Sequence, residues 1–324
     1  MKKDYIFSID LGGTSTKLAI INDDGQFIHK WEIPTDISEN GRMIVPNIAQ
    51  SFSKEIEKLQ IPKERFLGVG MGAPGPVVRD GVISRAVNLG WEQFPLKSEL
   101  EKHLQLPSYV ENDANCAAFG EMWLGSGKDL KNMICITLGT GVGGGIIVNG
   151  EIVSGSNGGG GEIGHMTVQP ENGYRCNCGK NGCLETVASA TGVVRLAMEK
   201  LSSWTENSML KDRYDKTETI TSKDVFEAKE AGDALAKEVV DQVAYYLGYA
   251  FGNIAALLNP EAIIVGGGVS KAGDTLLTPI KSYYDQFAFP PSKKDTNILL
   301  ATLGNDAGVI GAAWLVKKNR TDKA

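Results

Sequence analysis

One backbone device occurs twice in this chain. Asp10-Leu11-Gly12-Gly13-Thr14 and Leu138-Gly139-Thr140-Gly141 each follow an apolar strand-like run and lead into a second one. Missing Cβ atoms let the chain turn sharply and let backbone N–H groups converge on an anion. Thr14 and Thr140 add hydroxyl donors, and Asp10 sets a carboxylate beside the first turn, where it can hold Mg2+ directly or through water. Either turn alone is weak evidence, because Gly-Gly hairpins are common and usually bind nothing. The pair, with a third glycine run at Gly266, Gly267 and Gly268, is a much stronger signal.

Two familiar phosphate-binding motifs are excluded. Gly139, Gly141 and Gly144 satisfy GxGxxG, and Glu162 lies roughly where a ribose-binding acid is expected. That fingerprint requires a helix directly after the glycines, whereas GGIIVNGEIV reads as a β-hairpin closed by Asn149-Gly150. A GxxxxGK[ST] loop is absent from the sequence.

The periodicity around these turns is that of an α/β chain. Alternating apolar residues predict strands at Tyr5–Asp10, Thr16–Asn22 and Phe27–Ile33, an antiparallel meander. A helix is expected near Ile44–Leu59, with Ile48, Phe52, Ile56 and Leu59 on one face. Further strands are expected at Leu67–Met71, Ser108–Glu111, Met133–Leu138, Ile146–Val148 and Ala262–Val265. Helices are expected at Ala114–Leu124, Ser189–Leu201, Lys223–Glu230, Ala234–Leu258 and Ala307–Lys317. No low-complexity linker interrupts the chain, so a domain boundary would be a hinge inside a compact body.

The densest chemistry lies between Glu162 and Glu185, in EIGH followed by CNCGKNGCLE. Three of the five cysteines (Cys176, Cys178, Cys183) and one of three histidines (His165) fall here. Thiolate and imidazole are zinc ligands, and three Cys with one His fill a tetrahedron. The Cys-x-Cys spacing is not that of a nucleic-acid finger. Gly179 and Gly182 allow the backbone to bring the sulfurs to one point. The bland alternative, three unrelated thiols in a loop, would be an oxidation liability. Cys116 and Cys135 fall in an apolar helix and strand and read as core.

A net charge of −6 argues against a nucleic-acid partner, which needs a basic surface. The N-terminus has no apolar signal stretch, and no run reaches the length of a membrane helix. With metal ligands accounting for three cysteines, the expectation is a cytoplasmic protein in a reducing compartment.

These motifs together (DLGGT, LGTGVGGG, GGGV at 266–269, and EIGH with CNCGKNGCLE) resemble the ROK family of sugar kinases and repressors, and within it the ATP-dependent glucokinases. The resemblance runs from about Tyr5 to the C-terminal helix. It implies an α/β, actin/hexokinase-like (ribonuclease H-like) duplicated two-lobe fold with a central cleft and a zinc loop. The expected lobes are 1–112 plus 306–324 and 113–305, the zinc loop being 165–183. It further implies a homodimer.

The resemblance also implies roles. Asp113, at a strand end before a helix, becomes the general base for a hexose 6-hydroxyl; the bland alternative is that it only caps that helix. Sugar contacts fall on Gly75, Asn88, Asn112, Asp113, Glu162, His165 and Glu185. Asn88 is otherwise a turn residue, and Glu185 a charge at a helix start. ATP phosphates fall on Asp10, Gly12, Gly13, Thr14, Thr140 and Gly141, with Gly267 and Gly268 under the adenosine. Lys17 is left between phosphate and solvent. Zinc would orient His165 through one nitrogen and leave a proton on the other. Its role would be structural. Repressors of the family carry an N-terminal helix-turn-helix, for which a first strand at Tyr5 leaves no room. Glucose is the favoured hexose; mannose, fructose and N-acetylhexosamines are alternatives, as is a non-catalytic sugar-sensing regulator.

Overall fold

The computed structural model describes residues 3–321. The chain folds into two compact units. One runs to Asp129, takes in Ile152–Gly160 and resumes at Asn305; the other comprises Leu130–Glu151 and Gly161–Gly304.

The first unit is built on strands β1 (Tyr5–Leu11), β2 (Ser15–Asn22), β3 (Phe27–Pro34), β4 (Phe66–Ala73), β5 (Val77–Val78), β6 (Val82–Ala86), β7 (Trp91–Phe94) and β8 (Ser108–Asn112). Its main sheet has the order β3-β2-β1-β4-β8, and β5-β6-β7 form a small second sheet. The three-strand meander predicted from alternation is present, antiparallel, while β4 and β8 join in parallel. The helix Ile44–Lys58 buries Ile44, Ile48 and Phe52, four residues apart. Phe52 stacks on Phe7 with centroids 4.3 Å apart and meets Phe66 edge-on at 4.9 Å. Each such fully buried side chain contributes about 1.5–3 kcal/mol. This core covers one face of the sheet. On the other, Ile6, Ala19 and Ile21 meet Val309, Ala313 and Val316 of the C-terminal helix Ala307–Thr321.

The second unit repeats the plan with β9 (Met133–Leu138), β10 (Val142–Val148), β11 (Glu151–Ile152), β12 (Ala262–Gly266) and β13 (Asn297–Leu300), in the order β11-β10-β9-β12-β13. Here too a hairpin (β9–β10) is followed by strands added in parallel. Its core is dominated by the helix Ala234–Leu258, started by Asp233, whose Oδ1 accepts the Ala236 N–H at 2.8 Å, and ended by Asn259 at φ +42°. Leu235, Val239, Val243, Leu247 and Phe251 line its fully buried side.

The structure departs from expectation in several places. β10 begins at Val142 rather than Ile146, so Gly143, Gly144 and Gly145 are strand residues paired with Thr137, Ile136 and Cys135. A Cβ at Gly144 would meet the Gly161 carbonyl at 2.5 Å and Ile163 at 2.8 Å. Glycine in a strand here records a close crossing of chain, not a loop. The small sheet β5-β6-β7, strand β13 and the helices Leu96–Leu104, Met209–Thr217 and Asp274–Phe287 have no counterpart among the elements expected from periodicity. The expected division differs from the observed units by segments 113–129 and 152–160 and by Asn305. The helix Asp113–Leu124 lies with the first unit because the C-terminal helix seats directly on it. Among the described residues, no helix is long and apolar enough to cross a membrane.

Candidate active site and thiol cluster

At the end of β8, Asn112 is the N-cap of the helix Asp113–Leu124. Its Oδ1 accepts the N–H groups of Ala114 (2.9 Å) and Asn115 (3.2 Å), and its Nδ2 donates to the Gly75 carbonyl at 3.2 Å. The capping role that was the bland alternative for Asp113 thus belongs to Asn112. Asp113 is the first helical residue, and its Oδ1 accepts the Ala114 N–H at 2.8 Å. A carboxylate in the first turn of a helix is stabilised by the positive end of the dipole. Gly75 holds φ +93°, and a Cβ there would overlap the Arg85 carbonyl on β6. β6 leads into the turn Val87–Leu89, on which Asn88 is exposed. The structure therefore connects Asn112, Gly75 and the strand that leads into the turn carrying Asn88. Sequence reasoning missed what backs that turn: Gly90 lies against Asn40, and Gly41 (φ +68°) against the Leu89 carbonyl and the Trp91 ring.

The first glycine turn is closed by the Gly12 N–H on the Ser15 carbonyl at 3.0 Å, leaving Gly13 and Thr14 exposed. Asp10 faces Lys17 across the β1–β2 register, with Lys17 Nζ 3.3 Å from Asp10 Oδ2 and 3.3 Å from the Asn305 carbonyl. The residue left between phosphate and solvent is thus Asp10's ion-pair partner. Burial pushes the Asp10 carboxyl above its ordinary range, and Lys17 offsets this in part. A Cβ at Gly308, in the first turn of the C-terminal helix, would stand 2.9 Å from Asp10 Cγ. Only glycine allows that helix start to approach the carboxylate, a requirement invisible in the sequence.

In the second unit the glycine turn closes similarly, the Gly139 N–H donating to the Gly141 carbonyl at 2.9 Å. Thr140 is exposed. Gly267 (φ +87°) lies against the backbone of Leu138, so a Cβ there would come within 2.5 Å of its carbonyl oxygen. The third glycine run therefore abuts the second turn, and Gly268 is open beside it. Glu185 starts the short helix Glu185–Ala188, and its Oε2 accepts the Val142 N–H at 3.0 Å.

His165, Cys176, Cys178 and Cys183 offer ligand atoms that all lie within 4.8 Å of one another. Cys176 Sγ is 3.6 Å from His165 Nδ1, and Cys178 Sγ is 3.6 Å from Cys183 Sγ. A tetrahedral zinc with bonds of about 2.0–2.3 Å spaces its ligands about 3.5–3.8 Å apart, which both 3.6 Å pairs match, and three thiols with one imidazole are the donor types that ion takes. The loop is held by bridges Thr167–Cys183 and Arg175–Asn181, and Gly179 (φ +95°) and Gly182 (φ +74°) make its turns. Burial, then the neighbouring thiols, push Cys183 up to about 12; the Lys180 backbone N–H holds Cys178 below the usual thiol range. Binding a metal here displaces protons. The other His165 nitrogen, Nε2, points to Glu162, 3.9 Å from Oε2. Glu162 and His165 are thus adjacent, and Glu185 Oε1 lies 3.8 Å from Cys176 Sγ.

Two sheets of one topology, each with a glycine turn after its first strand, and a Cys3His loop in the second define a two-lobe α/β fold of the kind found in sugar kinases. The chain belongs to the ROK family, whose profile matches residues 6–319. A glucokinase of Halalkalibacterium halodurans is 53% identical over 98% of this chain and 96% of its own. A glucokinase of Thermotoga maritima is 33% identical over 98% and 99%. Among solved structures, a ROK family glucokinase from Streptomyces griseus in complex with glucose and AMPPNP superposes with a TM-score of 0.80 at 34% identity, covering 97% of this chain and 99% of that one.

Proposed function

We propose that this chain is a glucokinase, transferring the γ-phosphoryl group of ATP to the 6-hydroxyl of glucose. The observation that carries this reading is the likeness to glucokinases along nearly the whole chain, at more than half its positions for one of them. Phosphoryl transfer asks a protein chiefly for positioning and charge stabilisation, with one group to accept the hydroxyl proton. Asp113 takes that proton. Its candidacy is supported by Asn112 taking over the capping that would otherwise explain an acid at this position. Gly75, Asn88, Asn112, Glu162, His165 and Glu185 are the proposed hexose contacts. Asn112 acts there in part through its bonds to Gly75 and the helix start, which orient Asp113.

Gly12, Gly13, Thr14, Thr140 and Gly141 are assigned to the phosphates, and Gly267 and Gly268 to the adenosine. Asp10 fits a Mg2+ site: its oxygens are hard donors, and it stands beside the first glycine turn with Lys17 3.3 Å from Oδ2. Mg2+ bound with ATP would neutralise charge on the phosphates. His165, Cys176, Cys178 and Cys183 would hold a structural zinc, all four positions being filled by protein. A homodimer is proposed too, supported by the exposed aromatic row Tyr245, Tyr249 and Phe287 on the second unit. Cytoplasmic residence is consistent with five cysteines that form no disulfide.

The test is ADP release with Mg-ATP and a panel of hexoses, wild type against Asp113→Asn. Glucose-dependent turnover that falls by about three orders of magnitude or more in the variant is expected. Faster turnover on mannose, fructose or an N-acetylhexosamine would move the substrate and keep the chemistry. Sugar binding without turnover would overturn the kinase and leave a sugar-sensing regulator.

A further inference from the structure

The second glycine turn is gripped from one side by the segment that follows the thiol loop. The Ala190 N–H donates to the Gly139 carbonyl at 2.8 Å, Thr191 Oγ1 donates to the Thr140 carbonyl at 3.1 Å, and Glu185 Oε2 accepts the Val142 N–H at 3.0 Å. Each of Gly139, Thr140 and Val142 therefore has a partner between Glu185 and Thr191. Gly141 completes the set by shape, since a Cβ there would overlap Glu185 Oε2. The gripping segment is itself stiff. Ser189 Oγ accepts the Gly192 N–H at 3.0 Å and donates to the Glu185 carbonyl at 2.7 Å, joining the helices Glu185–Ala188 and Ala190–Ser203. Thr186, Val187, Ala188 and Ser189 are all buried.

The geometry points to residues 185–191 as a clamp that positions the nucleotide turn, with Glu185 as the piece shared between hexose and nucleotide. Glu185 is then a positioning residue for ATP in addition to being a hexose contact. This rests on the assignment of Thr140 and Gly141 to phosphate and of Glu185 to the hexose. A sugar hydroxyl drawing on one carboxylate oxygen changes how the other holds the Val142 N–H, so the two ligands bind with a coupling free energy between them. A charge-assisted bond of this kind is worth enough for its loss to change affinity about tenfold or more.

The test is calorimetric titration of the intact protein with Mg-AMPPNP in the absence of sugar, and separately with glucose in the absence of nucleotide. Three proteins are compared: wild type, Glu185→Ala and Thr191→Val. Thr191 is assigned no hexose contact and reaches the turn by a single neutral bond, so it serves as the clean probe if Glu185→Ala folds poorly. The expected result is that Thr191→Val weakens AMPPNP a few-fold and leaves glucose unchanged, while Glu185→Ala weakens both ligands, AMPPNP by about tenfold. Weakened AMPPNP with intact glucose binding in Glu185→Ala would support the clamp and remove Glu185 from the hexose site. Unchanged AMPPNP affinity in both variants would overturn the clamp, whether or not glucose binding is lost.

Discussion

Asn112 and Asp113 show how much turns on which of two neighbouring side chains caps a helix. Both are good N-caps, and the sequence offers no way to choose, because the cap is defined by backbone dihedrals. Asn112, with φ −61° and ψ 146°, has the extended backbone a cap requires, which leaves Asp113 as the first helical residue. Glu111, just before them, is a half-buried acid whose Oε1 accepts the Asn112 N–H at 2.8 Å and the Asn115 amide at 3.0 Å. Burial nonetheless raises its pKa above the ordinary 4.5. The fold thus holds this proton more tightly than the unfolded chain does. Between 4.5 and the raised value the native state binds more protons, so Glu111 costs stability as pH rises through that window, and the cost is complete above it. Glu111→Gln keeps an acceptor and removes the titration. Urea unfolding of variant and wild type, compared from acid to neutral pH, is expected to shift in the variant's favour as pH rises. A difference that does not vary with pH would show that the carboxylate escapes the cost of burial.

The C-terminal helix Ala307–Thr321 illustrates the element scale. Its apolar pattern is plain in the sequence, but its seat is made by one glycine of its own and by glycines on two partners, β4 and the helix Asp113–Leu124. A Cβ at Gly70 of β4 would overlap the Ala312 carbonyl, one at Gly311 would overlap the Cys116 carbonyl, and one at Gly120 would overlap the Ala307 carbonyl. Backbone meets backbone at each place, so no side chain can yield. Gly70→Ala is expected to lower the urea midpoint by the equivalent of about 1–3 kcal/mol with an unchanged slope. An unaltered midpoint would mean that the helix can retreat from the sheet without loss. The same logic explains the error at β10: a glycine run reads as a loop in sequence, whereas Gly143–Gly145 are strand residues thinned to let residues 161–163 cross.

At the scale of the whole molecule, the repeated order of the two sheets accounts for the repeated glycine turn, since each turn closes the first hairpin of its sheet. The duplication is a property of topology. What distinguishes the two halves is the thiol loop, present only in the second among the described residues. That loop joins Glu162 and His165 to Cys176 and, through Cys176, to Glu185. Metal analysis of the purified protein is expected to return one zinc per chain. Removing it with a chelator should lower the thermal midpoint and, on the proposed assignment of Glu162, His165 and Glu185 to the hexose, raise the KM for glucose more than it lowers kcat. Full stability and unchanged KM in metal-depleted protein would exclude that role.

Residue types and spacing determined the glycine device, the four candidate metal ligands of the thiol loop, the β1–β3 meander and the helix Ala234–Leu258, and the motifs they form carried the resemblance to the family. Each depends on chemistry carried by a few neighbours in the chain. Only the tertiary structure decided that Lys17 belongs to Asp10, that Asn112 holds both the helix start and Gly75, that Gly308 abuts Asp10, and that Glu185 grips Val142. The last three join residues 37, 298 and 43 positions apart. Contacts of that range follow from how sheets and helices stack, and local propensity carries no record of them.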